Sequence, residues 1–127
     1  MSYRIYPAKL IRIVDADTAY FECDVGFRVW VKMDFRLAGL NAPEIHTAEG
    51  IKAKDWLTNA FAGFDKFTLA VTGADKYGRW LAYVYPGEVG PKLMADVTSA
   101  AYKASINNDM ISQGVAKPWD GQGAKPV

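Results

Sequence analysis

Asp15 and Asp17 flank one residue where an extended run breaks, and in extended geometry their carboxylates point the same way. Two acids so placed repel each other unless a cation or hydrogen-bond donors lie between them. Arg36 and Arg79 each carry a planar guanidinium that contacts two phosphate oxygens and stays charged. Glu44 follows Pro43 in a loop, where a carboxylate can take a proton from water. Taken singly, each has an ordinary reading. Asp15-Ala16-Asp17 is a turn, Arg36 a solvated charge on a strand, Glu44 a surface acid and Arg79 the border of a hairpin. Taken together, they are the parts of a metal-assisted phosphodiesterase. These are oxygen ligands for a divalent ion, a base for the attacking water, and guanidiniums that neutralise five-coordinate phosphorus.

These groups are far apart along the chain, so strands and a helix must bring them together. Tyr3 to Val14 is apolar and rich in β-branched residues, with Pro7 marking an edge or bulge. Thr18 to Asp24 continues as a second strand, and Val25-Gly26 turns again. Val29, Val31, Met33, Phe35 and Leu37 alternate with Trp30, Lys32, Asp34 and Arg36, predicting a third strand. Three strands with short turns favour an antiparallel meander. Ala53, Trp56, Leu57, Ala60, Phe61 and Phe64 form one apolar stripe at helical spacing, with Thr47 as N-cap and Gly63 as the end. Phe67 to Val71 and Arg79 to Tyr85 read as a fourth and a fifth strand around the turn Asp75-Lys76-Tyr77-Gly78. Leu93 to Ala101 predicts a second helix. Asn107 to Gln113 predicts a third, stopped at Gly114. This order suits a closed five-stranded OB-type barrel with two or three helices packed outside, and equally a plain α+β sheet.

The chain has 127 residues, enough for one domain. Its 50% hydrophobic and 23% charged residues exclude a disordered tail or a coiled coil. A net charge of +1 excludes binding of nucleic acid by bulk charge, though not by a few arginines in one cleft. Cys23 is the one cysteine, so no internal disulfide forms. Neither a signal-peptide core nor an apolar run of about 18 residues is present, and the expectation is a cytoplasmic monomer away from membranes. Residues 1–117 are expected to form the domain and 118–127 a loose tail. His46 is read as a surface residue, Trp30, Trp56 and Trp80 as core or barrel-face residues, and Cys23 as core.

Four stretches in order resemble the staphylococcal nuclease (thermonuclease) family. They are Arg12-Ile13-Val14-Asp15-Ala16-Asp17-Thr18, Phe35-Arg36-Leu37, Asn41-Ala42-Pro43-Glu44 and Asp75-Lys76-Tyr77-Gly78-Arg79. The segment Asn107 to Lys117 is similar to that family's last helix and its exit, so the resemblance runs from about Ile11 to Lys117. It implies an OB-fold barrel (α+β, mainly β) that cleaves DNA and RNA with Ca2+. By the same resemblance Asp17 is a direct calcium ligand and Asn41 stands where the family has a ligating aspartate. Ala42 offers its carbonyl, while Asp15 and Glu44 lie close to the ion through water. Arg36 and Arg79 grip the scissile phosphate, Glu44 is the general base, and Lys76 and Tyr77 line the nucleotide pocket.

The chain departs from that pattern in two ways. Asn41 replaces a carboxylate and Ala42 a threonine, which predicts weaker metal binding and leaves Mg2+ or Mn2+ open as the preferred ion. Glu88 to Ala104 reads as an insertion, and the family's base-stacking tyrosines have no counterpart. Trp119 is then either a stacking platform or a packing anchor. The expected substrate is single-stranded or frayed DNA, with RNA open, read with little base specificity. Two rival readings are a nucleic-acid- or protein-binding module that has lost catalysis, for which Asn41 is the main argument, and a purely structural barrel.

Overall fold

A computed structural model of the chain describes residues 4–87 and 105–119. The first apolar run becomes β1 (Arg4–Asp15), and the short turn at Ala16 and Asp17 returns it as β2 (Thr18–Asp24). The alternating segment becomes β3 (Trp30–Leu37), antiparallel to β2. Its Phe35 and Leu37 are buried, Trp30, Lys32 and Asp34 are exposed, and the alternation fails only at Arg36, which is buried too. Register shifts between Leu10 and Arg12 and between Ile13 and Asp15 bend β1 near its end.

Beyond β3 the chain forms the two-residue β4 (Leu40–Asn41) and then α1 (Ala48–Phe61). Thr47 caps α1 as expected, its side chain accepting from Gly50 N. The stripe buries Ala53, Leu57 and Phe61 and half-buries Trp56 and Ala60. The helix stops at Phe61, so Phe64, assigned to its stripe, lies beyond it and is exposed. β5 (Phe67–Ala74) and β6 (Trp80–Pro86) follow, antiparallel, around the predicted turn. α2 (Ile106–Ser112) comes close to the predicted third helix and leads to β7 (Lys117–Pro118), which pairs with β4.

The strands close as β1-β2-β3-β6-β5, with β5 returning to β1. β3 and β6 run parallel, which the meander reading did not foresee. A helix and two further strands separate them in sequence, which allows the parallel approach. The result is a mixed five-stranded barrel with two helices among the described residues, an OB-type α+β fold. Phe21, Phe35, Phe61 and Phe67 meet inside it, ring centroids 4.9 to 6.4 Å apart, tying β2, β3 and β5 to α1. Fully buried Asn107 ties α2 to the barrel. Its Oδ1 accepts from Val84 N at 2.9 Å, and its Nδ2 donates to Ala38 O and Ala82 O at 2.9 and 3.0 Å.

The predicted helix at Leu93 to Ala101, the insertion at 88–104 and the tail residues 120–127 lie outside the described residues. The packed chain continues past 117, however. Pro118 pairs with Leu40, and Trp119 is buried and donates its N–H to Gly39 O at 2.9 Å. The loose tail therefore does not begin at 118, because the chain there closes over the β3–β4 turn.

Candidate nuclease site

Where β3 ends, Ala38-Gly39 reverses the chain into β4 within two residues. Gly39 adopts φ +79°, a conformation open to glycine and costly for most other residues. The reversal brings Asn41 beside Arg36, whose Nη2 donates to Asn41 Oδ1 at 2.9 Å and to Leu40 O at 3.2 Å. The same Nη2 lies 3.3 Å from Asp17 Oδ2. The guanidinium also stacks over Trp119, 4.8 Å from the ring centroid. Arg36 is only 2% exposed, so the solvated-charge reading is wrong. Its charge is tolerated inside because partners occupy its edge and its face.

Asp17 is buried beside it. Its Oδ2 accepts from Ala42 N at 3.1 Å and its Oδ1 from Thr18 Oγ1 at 3.3 Å. Asp15 Oδ1 accepts from Asp17 N at 3.2 Å. Burial raises the Asp15 carboxyl to about 6, and the adjacent Asp17 side chain adds to the rise. Glu44 is exposed in the loop before α1.

Arg79 is set by a residue that the sequence reading assigned only to a turn. The buried Asp75 carboxylate accepts from Tyr77 N, Arg79 N and Arg79 Nε, each at 2.9 Å. Burial alone would raise the Asp75 carboxyl, but the N–H groups of Arg79 and Tyr77 and the Arg79 guanidinium outweigh it and hold it below the ordinary carboxylate range. An Asp at the first position of a turn, four residues before an arginine, was the available signal.

Asp15, Asp17, Arg36, Asn41, Ala42, Glu44 and Arg79 line one polar pocket of about 160 Å³. Lys76 and Tyr77 stand beside Arg79, outside that lining. Tyr77 is 62% exposed, with Lys76 Nζ 5.4 Å and Arg79 Cζ 5.5 Å from its ring centroid. Of the two readings of Trp119 given above, stacking platform and packing anchor, its surroundings favour the anchor. Trp119 is 8% exposed and lies against Arg36, leaving no open face for a base. His46 is exposed, as are Trp30 and Trp80 on the barrel surface, and Cys23 is in the core.

The donor chemistry bears on a divalent ion. The pocket offers only oxygen donors, and the adjacent carboxylates of Asp15 and Asp17 gain from a hard cation. Among the described residues no three of His, Cys, Asp and Glu gather around one point, and Asn41 Oδ1 already serves Arg36. The pocket thus suits an ion held by few protein groups and completed by water and phosphate oxygens, as hydrated divalent ions often are. It does not form an all-protein cage, and Asn41 acts as a partner of Arg36 where the sequence reading made it a ligand.

A closed mixed barrel thus carries two arginines and three carboxylates at one polar pocket, the arrangement expected of a nuclease-type family. Residues 34–124 match the family described as staphylococcal nuclease homologue, and the chain belongs to that family. The match contains Arg36, Asn41, Ala42, Glu44, Lys76, Tyr77 and Arg79. Asp15 and Asp17 precede it and reach the pocket through the β1–β2 turn. No curated protein matches the chain. Among the described residues no helix is long and apolar enough to cross a membrane.

Proposed function

We propose that the chain is a divalent-cation-dependent nuclease that hydrolyses phosphodiester bonds in single-stranded or frayed DNA, and in RNA. The observation that carries this reading is the shared pocket of Asp15, Asp17, Arg36, Glu44 and Arg79. Glu44, exposed at the pocket, takes the proton of the attacking water. Arg79, held by Asp75, presents its fork to the phosphate as negative charge grows on phosphorus, and Arg36 supports it from the pocket wall. Tyr77 and Lys76 receive the neighbouring nucleotide, ring against base and ammonium near phosphate. Asp17, Asp15 and the Ala42 carbonyl are the groups that would hold Ca2+, or Mg2+ or Mn2+. Such an ion, when bound, polarises the phosphate and acidifies water.

One observation favours a second reading, a nucleic-acid-binding module without catalysis. Arg36 is already paired with Asp17, and its Nη2 is also engaged by Leu40 O and Asn41 Oδ1. The two readings separate when the protein is incubated with single-stranded DNA in Ca2+, Mg2+, Mn2+ or EDTA. Metal-dependent fragments establish the nuclease, whereas retarded but intact DNA establishes the binder. In the nuclease, Glu44→Gln is expected to lower kcat by about 10²- to 10⁴-fold. An unchanged rate removes Glu44 as the base.

A further inference from the structure

We propose that Thr47 and Gly50 are positioning residues for Glu44, so that the first turn of α1 sets where the Glu44 carboxylate stands at the polar pocket. The inference rests on the nuclease reading above. Glu44 is exposed, and its carboxylate accepts no hydrogen bond from another described residue, so its backbone must place it.

That backbone is fastened to the helix. Thr47 Oγ1 donates to Glu44 O at 2.7 Å, and Thr47 N donates to the same oxygen at 3.0 Å. Thr47 Oγ1 in turn accepts from Gly50 N at 3.0 Å. The cap of α1 and the anchor of Glu44 are therefore one hydroxyl.

Gly50 completes the arrangement. A Cβ at this position would fall 1.7 Å from Glu44 O and 2.4 Å from Glu44 C. Gly50 is not among the glycines with positive φ, so no left-handed turn requires it. A helix interior disfavours glycine, so helix formation does not require it either. Close approach of the Glu44 carbonyl is what remains. Any side chain at 50 pushes that carbonyl away and carries the carboxylate with it.

The test compares Gly50→Ala, Thr47→Ala and Thr47→Ser in the full chain, each also combined with Glu44→Gln. Folding is checked by circular dichroism and thermal unfolding. Gly50→Ala is expected to lower kcat roughly tenfold or more with KM changed by less than about twofold. In the Glu44→Gln background it should lower kcat no further, because the group it positions no longer acts as a base. Thr47→Ala should follow Gly50→Ala, and Thr47→Ser should restore the parental rate. If Gly50→Ala does not fold, the Thr47 pair decides. A folded Gly50→Ala with parental kcat overturns the proposal, as does an equal loss in the Glu44→Gln background.

Amide hydrogen exchange supplies an arm independent of activity. Exchange at Thr47 is expected to speed up in Gly50→Ala, and unchanged protection overturns the anchor. A parent that leaves DNA intact with every cation tested refutes the nuclease reading, while the exchange arm still decides whether Gly50 holds the loop.

Discussion

Arg36 Nη2 donates to Asn41 Oδ1 across 2.9 Å, from a guanidinium that lies 3.3 Å from Asp17 Oδ2. A guanidinium has donors only, so the amide oxygen of Asn41 must be the atom that faces it. The residue that the resemblance above sets in place of a ligating acid thus serves the arginine, and an asparagine there gives the pocket one negative charge fewer than an aspartate would.

Asn41→Asp restores that charge within the same contact distance of Arg36. It is expected to tighten Ca2+ binding about tenfold, close to 1.4 kcal/mol, by isothermal titration with the ion alone. An affinity equal to the parent's would separate position 41 from the cation.

Asp75→Asn keeps one acceptor where the carboxylate serves three donors. The loss is expected to cost about 2 kcal/mol of stability and, with Arg79 displaced, to lower turnover roughly 10- to 100-fold. The pH dependence has a definite sign. The Asp75 carboxyl is held below its ordinary value in the folded chain, so the unfolded chain binds its proton more readily. Its contribution is full above about pH 4 and is lost as pH falls through the folded value. The gap in Tm between parent and Asp75→Asn should therefore be widest near neutrality and narrow in acid. A gap constant down to the acid limit would mean that the charge plays no part.

Cys23 is 1% exposed at the β1–β2 pairing, and burial pushes its thiol up to about 12. An aromatic disulfide reagent at mildly alkaline pH is expected to leave the native thiol unlabelled and to react stoichiometrically once denaturant opens the barrel. Rapid labelling of the native protein would contradict the position of Cys23 in the core.

Much of the barrel was readable because its strands and first helix are written in local periodicity. Phe35 and Leu37 point inward by alternation, Ala53, Leu57 and Phe61 by helical spacing, and Thr47 caps the helix with its own hydroxyl. The parallel contact of β3 with β6 was not readable, because strand periodicity says which face is buried and nothing of which edge pairs. Phe64 was misplaced for a related reason. The apolar stripe continues past the point where backbone geometry ends the helix.

For the site, sequence alone determined the chemistry on offer: two arginines, three carboxylates and an asparagine in a recognisable order. Residue type sets charge, donors and acceptors wherever the chain goes. Tertiary structure decided how those groups are used. It buried Arg36 against Trp119 and turned Asn41 into its acceptor. It made Asp75 the support of Arg79 and placed Gly50 under the Glu44 carbonyl. Each of these depends on the distance and burial of atoms that the fold alone brings together. Desolvation and the angular demands of hydrogen bonds act on that proximity, and spacing along the chain does not record it.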